Sequence, residues 1–184
     1  MNQQEFLSQV VGRLQEAGLQ YMLTGSVASG RYGEVRSTLD IDIVVDAQWP
    51  GVQEFARSFG DDYYVSEDAA RQAWQRRSMF NIIHGPSGQK ADIIFRKARD
   101  FGRLAFSRRR RETVFGVAVD IISPEDIILA KLEWSTKGES ERQYRDAVRV
   151  AEVQGPALDL AYMRKWADEL GVVDLLERLL NEAT

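Results

Sequence analysis

The chain has no cysteine and a single histidine, His84, among its 184 residues. The lack of cysteine excludes disulfides, zinc–thiolate sites and cysteine nucleophiles, and one histidine cannot build a multi-histidine metal site. No apolar run approaches the about 20 residues of a membrane-spanning helix. The N-terminal residues predict an amphipathic helix rather than a signal peptide. The sequence therefore predicts a cytoplasmic protein with no membrane partner.

Basic residues are slightly outnumbered, since 24 Lys and Arg stand against 28 Asp and Glu and give a net charge of −4. A mildly acidic chain of this kind is not typical of a nucleic-acid coat protein. The consecutive arginines at residues 108–111 are compatible with binding RNA or another anionic acceptor. A solvated strand edge explains them equally well, because successive residues of a strand point to opposite faces.

The sequence divides into two halves. Up to about residue 122, short apolar runs alternate with helical patterns, and two apolar runs around a turn-rich segment predict a β-hairpin. Ser123-Pro124, with an acid at Asp126, marks a helix start, and helical patterns continue from there. We expect an α/β domain over residues 1–122 and a helical domain over residues 123–184 that packs against it. His84 is expected in an exposed turn and Trp134 in the core.

Two aspartates, Asp40 and Asp42, stand one residue apart in an apolar run that alternates like a strand. Residues two apart project to the same face, so the two carboxylates lie close together. Like charges at such a separation repel each other unless a cation lies between them. Magnesium prefers carboxylate oxygens and keeps water and phosphate as its other ligands. The pair therefore predicts a magnesium site, and the alternative interpretation is a solvated strand face.

A Gly-Ser pair, Gly25-Ser26, follows an earlier apolar run and opens a stretch of small residues. A glycine between a strand and a helix lets unpaired backbone N–H groups face an anion, and the Ser26 hydroxyl adds a donor. The pair therefore predicts a phosphate-binding turn, with a plain turn as the alternative. A third acid, Asp92, lies in another apolar run and is expected to join the two aspartates on one face of the sheet.

Together these motifs resemble the signature of the polymerase-β-like nucleotidyltransferase superfamily: Gly25-Ser26, then Asp40-Ile41-Asp42, then Asp92. The stretch at residues 36–42 is similar to that of bacterial minimal nucleotidyltransferases. The segment at residues 122–132 is similar to bacterial proteins related to abortive-infection toxins, and the resemblance covers most of the chain. It implies an α+β fold in which a nucleotidyltransferase-type mixed sheet is flanked by helices and followed by a C-terminal helical region.

The resemblance also implies an activity. Members of the superfamily transfer a nucleoside monophosphate from a nucleoside triphosphate such as ATP to a hydroxyl group. Asp40 and Asp42 would then bind two Mg²⁺ ions, for which Mn²⁺ is a substitute, and Asp92 would help to bind the ion that activates the acceptor. Gly25 and Ser26 would hold the triphosphate.

Four further residues are assigned to this site by the resemblance and by their positions. Arg36 and Thr38 precede the two aspartates and are assigned to the nucleotide. Lys131 would contact the triphosphate as a catalytic lysine, and Asp146 would join it there. The alternative interpretation of Lys131 is a solvated helix lysine, and that of Asp146 is an ion pair to a neighbouring arginine on its helix.

Three functions stay open at this stage. The first is an active nucleotidyltransferase, used in a bacterial toxin–antitoxin or phage-defence system. The second is a catalytically silent binding module with a cognate protein partner, and the third is a metal-dependent phosphohydrolase. The complete set of acids favours the first. The sequence does not determine the acceptor, for which RNA such as tRNA, a protein hydroxyl and a small molecule all qualify.

Overall fold

The computed structural model describes residues 1–34, 38, 40–138 and 140–183. The chain forms two compact units. The first unit comprises Met1–Thr24 and Thr38–Ile121, and the second comprises the described parts of Gly25–Ser37 and Ile122–Thr184. The expected boundary lay after residue 122, whereas the second unit already begins at Ile122. A second difference is the segment at residues 25–37, which was expected in the first domain but is grouped with the second unit.

The first unit is built on a seven-stranded mixed sheet with the order β3-β4-β5-β2-β1-β7-β6. Strand β2 runs parallel to β5, and β1 runs parallel to β7, whereas the other neighbours are antiparallel. The predicted hairpin is present as β4-β5, and β6-β7 forms a second hairpin. The strands are β1 (Gln20–Thr24), β2 (Asp40–Asp46), β3 (Tyr63–Val65), β4 (Met79–His84), β5 (Gln89–Phe95), β6 (Arg110–Val114) and β7 (Val117–Ile121).

Helices flank the sheet in sequence and make up the C-terminal region, which confirms the predicted α+β class. The helices are α1 (Gln3–Glu16), α2 (Gly25–Tyr32), α3 (Trp49–Arg57), α4 (Glu67–Arg76), α5 (Asp100–Ser107), α6 (Pro124–Ser135), α7 (Ser140–Gln154), α8 (Leu160–Leu170) and α9 (Val173–Glu182). A short 3₁₀ helix, Gly155–Ala157, separates α7 from α8. Helices α1, α3, α4 and α5 belong to the first unit, and α2 and α6–α9 to the second.

The alternation of apolar and polar side chains determines which face of strand β2 is buried. Ile41, Ile43 and Val45 are almost fully buried, so this face of the strand packs into the core of the first unit. Asp40 and Asp42 therefore lie on the opposite face, where Asp40 is exposed and Asp42 is partly buried. The apolar pattern thus fixes which way the two carboxylates point.

Helix α6 forms the centre of the second unit, and nearly all of its residues are buried. Ser123 is its N-cap, as predicted: the Ser123 hydroxyl accepts from the Asp126 N–H at 3.1 Å and donates to the Asp126 carboxylate at 2.7 Å. The Tyr162 hydroxyl donates to the other Asp126 oxygen at 2.5 Å. These bonds satisfy a carboxylate that is fully buried, and they fix α8 against the start of α6.

Helix α2 packs against α6 and α7 within the second unit. Directly after α2, a side chain at Gly33 would begin only 2.8 Å from the Val150 backbone nitrogen, so this close approach requires glycine. The Gln154 side-chain amide donates to the Tyr32 carbonyl at 2.8 Å and satisfies a backbone acceptor at the end of α2.

Several elements and environments were not anticipated. Helix α4 has alanines, Ala70 and Ala73, as its buried residues, and its apolar stripe is therefore weak. The expected environments of two aromatic residues are wrong. His84 ends strand β4 and is 5% exposed, packed against Tyr63, whereas Trp134 is 58% exposed.

Candidate functional site

An acidic face is formed where β2 and β5 run side by side in the first unit. Their parallel register pairs Asp42 with Asp92 and Asp40 with Lys90. Paired residues of neighbouring strands point to the same side of a sheet. Asp40, Asp42 and Asp92 therefore lie on one face, which is the arrangement expected for a shared cation. A position of Asp92 on the other face would have separated the three carboxylates.

Two side chains hold the Asp92 carboxylate, which is 9% exposed. The Asn81 amide on β4, which is paired with Asp92 in the sheet, donates to Asp92 Oδ1 at 2.5 Å. The Lys90 ammonium lies 3.3 Å from Asp92 Oδ2. Both oxygens are thus engaged, one by the neighbouring strand β4 and the other by a residue of β5 itself.

The Lys90 ammonium also lies 3.5 Å from Asp40 Oδ2, so it stands between carboxylates of two strands. Partial burial acts to lower the pKa of Lys90, but attraction by Asp92 and Asp40 and the hydrogen bonds to them outweigh burial and raise that pKa. The side chain is 30% exposed, so solvent reaches this part of the face. The arrangement shows that Asp40 and Asp92 can share one cation.

The donor set on this face fits a hard divalent cation. Three carboxylates supply the oxygen ligands that Mg²⁺ prefers, and the exposed side of Asp40 leaves room for water or phosphate. In the described ranges 1–34, 38, 40–138 and 140–183, no three acidic or histidine groups lie close enough to form a ready-made metal site. The Lys90 ammonium lies between two of these carboxylates, Asp40 and Asp92.

The Gly25-Ser26 pair forms the first turn of α2, which begins directly after β1. Gly25 has a φ of +65°, in the left-handed region that favours glycine. The first N–H groups of a helix have no partner within the helix and attract anions. The local structure therefore matches the predicted glycine at the start of a helix.

Replacing Gly25 by alanine is expected to strain this turn. The Gly25→Ala variant should lose about 1–2 kcal/mol of unfolding free energy, because a Cβ atom is disfavoured at positive φ. Urea unfolding followed by circular dichroism measures the loss. Gly12→Ala is the matched control, since Gly12 lies inside α1 and a Cβ atom added there would meet none of the described residues within 4 Å. A Gly25→Ala variant as stable as wild type would contradict the assigned backbone conformation.

Lys131 and Asp146 form a buried ion pair between α6 and α7. The Lys131 ammonium lies 2.7 Å from Asp146 Oδ2 and donates to Gln143 Oε1 at 2.9 Å. Their side chains are 4% and 16% exposed. The interpretation of Lys131 as a solvated helix lysine is therefore wrong. Asp146 faces Lys131, so an ion pair with neighbouring arginines on its own helix does not account for its position.

The two remaining assigned residues, Arg36 and Thr38, precede β2 in the sequence. Thr38 precedes β2, where its hydroxyl donates to the Asp40 carbonyl at 3.3 Å and its own carbonyl accepts from the Gln3 amide at 2.8 Å. Thr38 thus supports the entry of the chain into β2. Arg36 lies outside the described residues.

The consecutive arginines at residues 108–111 do not all share one face, as expected for a strand at the edge of a sheet. They pass from the end of α5 into β6, which is the last strand of the sheet. Arg110 is paired with Ile121 and Arg111 with Asp120, so they belong to opposite faces. Arg111 makes an ion pair with Asp120 at 3.1 Å, and the Arg109 guanidinium lies 4.5 Å from the centre of the Phe106 ring.

Lys90, Asn81 and Gln143 were not identified from the sequence. A signal for Lys90 was available, since it stands two residues before Asp92 and must share its face in a strand. Asn81 and Gln143 had no such signal, because each meets its partner through strand pairing or helix packing between separate elements of the chain.

The first unit thus combines a mixed sheet with two aspartates on one strand and a third on its parallel neighbour, as the resemblance implies. Comparison with solved structures identifies proteins of similar fold. An antigenic nucleotidyltransferase-like protein from Paracoccidioides brasiliensis matches 97% of this chain and 92% of its own, with a TM-score of 0.57 and 16% identity. The antibiotic-resistance factor ANT(2'')-Ia matches 91% of this chain and 94% of its own, with a TM-score of 0.52 and 13% identity.

The chain therefore has the nucleotidyltransferase fold, as its motifs predicted. At these identities the similarity concerns the fold alone. No family model matches the chain, and a search of curated proteins gives no match. Within the part of the chain that the structure describes, every helix is too short or too polar to cross a membrane.

Proposed function

We propose that this protein is a magnesium-dependent nucleotidyltransferase that transfers a nucleoside monophosphate from a nucleoside triphosphate to a hydroxyl acceptor and releases pyrophosphate. The observation that carries the proposal is the register of β2 and β5, which sets Asp42 beside Asp92 with Asp40 on the same face. The fold supports it, because the similar solved structures include a nucleotidyltransferase-like protein.

In this proposal the acidic face is the site of the divalent cations. Asp40 and Asp42 would hold the two ions, and Asp92 would help to hold the ion that activates the acceptor. When bound, two Mg²⁺ ions would lower the pKa of the acceptor hydroxyl and offset the charge of the leaving pyrophosphate. Asp92 accepts the hydroxyl proton, and the Asn81 amide, which donates to Asp92 Oδ1 at 2.5 Å, holds the carboxylate in place.

Further residues are assigned to the triphosphate on the resemblance. Gly25 and Ser26 offer backbone N–H groups and a hydroxyl at the start of α2. Lys131 has three N–H donors, two of which are used by Asp146 and Gln143 among the described residues. Its third N–H is assigned to a phosphate oxygen, with Asp146 as the positioning partner. Arg36 and Thr38 stay assigned to the nucleotide on the resemblance.

The effect of removing the Ser26 hydroxyl tests the phosphate assignment. Ser26→Ala should weaken binding of a non-hydrolysable nucleoside triphosphate about fivefold, the equivalent of one lost hydrogen bond of about 1 kcal/mol. Isothermal titration calorimetry in the presence of Mg²⁺ measures the affinity. Ser107→Ala is the control, since the Ser107 hydroxyl donates to Leu104 of its own helix and is exposed. Equal affinities of wild type and Ser26→Ala would place the triphosphate elsewhere.

The direct test of the function uses nucleoside triphosphates labelled at the α-phosphate. They are incubated with the protein, Mg²⁺ and, in separate reactions, tRNA, total cell protein and small hydroxyl compounds such as aminoglycosides. Label that becomes covalently attached to one of these acceptors, with release of pyrophosphate, supports the proposal and identifies the acceptor class. Hydrolysis to free nucleotide without any labelled acceptor would instead support a phosphohydrolase.

The cellular role follows from the acceptor. A labelled tRNA or protein would agree with a role in a bacterial toxin–antitoxin or phage-defence system with a cognate protein partner, as the resemblance implies. A labelled small molecule would agree with a modifying enzyme, the kind of role that the description of ANT(2'')-Ia as an antibiotic-resistance factor suggests.

A further inference from the structure

Lys90 occupies the position on the acidic face that a cation would take. Its ammonium lies 3.3 Å from Asp92 Oδ2 and 3.5 Å from Asp40 Oδ2. The position follows from the backbone, because Lys90 is paired with Asp40 across the strands and precedes Asp92 by two residues on β5. The contacts are thus built into the sheet and do not depend on a long side chain reaching in from a distant loop.

The net charge of the acidic face determines how these contacts affect the binding of a divalent cation. The three aspartates carry a formal charge of −3, and Lys90 reduces it to −2. A divalent cation that binds alone to Asp40 Oδ2 and Asp92 Oδ2 displaces Lys90 from both oxygens, and it then lies close to an ammonium of like charge. A cation that arrives with a triphosphate brings anionic oxygens that accept the displaced ammonium.

We propose that Lys90 is a built-in counter-ion that competes with free divalent cations for Asp40 and Asp92 and so couples metal binding to nucleotide binding. The inference rests on the proposed function for the identity of the nucleotide, whereas competition with the metal depends only on the acidic face. Lys90 weakens the metal site when no nucleotide is present and moves to phosphate oxygens when the metal and nucleotide bind together.

Metal titration of a charge-neutral variant tests the competition. Lys90→Gln should bind Mn²⁺ about fivefold more tightly than wild type when nucleotide is absent, since two partly exposed ion pairs no longer have to be broken. Electron paramagnetic resonance of free Mn²⁺ gives the affinity without any turnover. Lys90→Arg keeps the charge and should retain the wild-type affinity. The matched control is Lys137→Gln, which removes the cation of the Lys137–Glu133 pair at the end of α6.

The coupling is tested by the same titration with a saturating non-hydrolysable triphosphate. The nucleotide should tighten Mn²⁺ binding by a larger factor in wild type than in Lys90→Gln. Only the wild type has an ammonium that competes with Mn²⁺ for the carboxylates and that the triphosphate oxygens can accept. Circular dichroism and thermal unfolding establish that each variant is folded before the affinities are compared.

The outcomes separate this inference from the proposed function. Equal Mn²⁺ affinities of wild type and Lys90→Gln, in a protein that transfers nucleotides, overturn the inference alone. Tighter binding by Lys90→Gln in a protein without transferase activity supports the counter-ion role and overturns the proposed function. Failure of every variant to bind Mn²⁺ overturns both, and an equal gain in Lys137→Gln overturns the specific role of Lys90.

Discussion

Asp42→Asn is expected to abolish magnesium-dependent nucleotidyl transfer while leaving the protein folded. Asp42 is the central carboxylate of the acidic face, since it follows Asp40 by two residues on β2 and is paired with Asp92 on β5. Asparagine keeps the size of the side chain but removes the charge that a divalent cation requires. Changes to groups that merely support metal ligands cost about 10- to 100-fold, so loss of a ligand should cost more than about 100-fold in turnover.

The fold should tolerate this change, because removal of one of the neighbouring negative charges relieves repulsion. Transfer of labelled nucleotide measures the loss, and Mn²⁺ titration shows whether metal binding is lost with it. Asp46→Asn is the matched control on the same strand: Asp46 lies at the far end of β2, where it pairs with Arg96 at 2.7 Å. Turnover by Asp42→Asn at the level of Asp46→Asn would rule out the proposed metal site.

Among the variants proposed for this protein, Lys131→Met is expected to lose the most unfolding free energy. The substitution leaves the Asp146 carboxylate, with 16% of its side chain exposed, without the ammonium that lies 2.7 Å away. Removing one partner of a buried ion pair costs about 3–5 kcal/mol, because the remaining charge stays buried and loses the compensation that this partner gave it. Urea unfolding monitored by circular dichroism should show this loss as a shift of the midpoint, with an unchanged slope.

A double variant distinguishes the loss of charge compensation from a loss of packing. Lys131→Met with Asp146→Leu removes both charges and should recover most of the stability, since an apolar pair can replace a buried ion pair. Arg164→Met is the surface control, because the Arg164–Glu177 pair is 54% and 44% exposed and its loss should barely move the midpoint. A loss in Lys131→Met no greater than in Arg164→Met would contradict the buried pair.

The sequence predicted the parts of the fold that rest on strong local patterns. The alternation of Ile41, Ile43 and Val45 with polar residues identified β2, and Ser123 with Pro124 identified the start of α6. Strand β3 and helix α4 were not predicted, because a three-residue strand and a helix with alanine as its buried residue leave little hydrophobic periodicity.

For the candidate site, the sequence identified residues but not their partners. The two-residue spacing of Asp40 and Asp42 fixes a common face, and a local rule of this kind is reliable. The bond of Asn81 to Asp92 depends on how β4 pairs with β5, and the bond of Lys131 to Asp146 depends on how α6 packs on α7. Such contacts between separate elements are set by tertiary packing, which a single sequence does not display.

Because α2 belongs to the second unit, the two units cannot be obtained as separate fragments by cutting the chain once. The chain leaves the first unit after Thr24, returns to it at Thr38 and leaves it again after Ile121. Neither unit is therefore a continuous stretch of polypeptide, and no single cut separates them. A fragment that ended at residue 121 would retain α2 but lose α6 and α7, and the apolar side chains of Val27, Ala28 and Tyr32 would lose their helical neighbours. The two units are therefore expected to fold as parts of one chain rather than as separable modules.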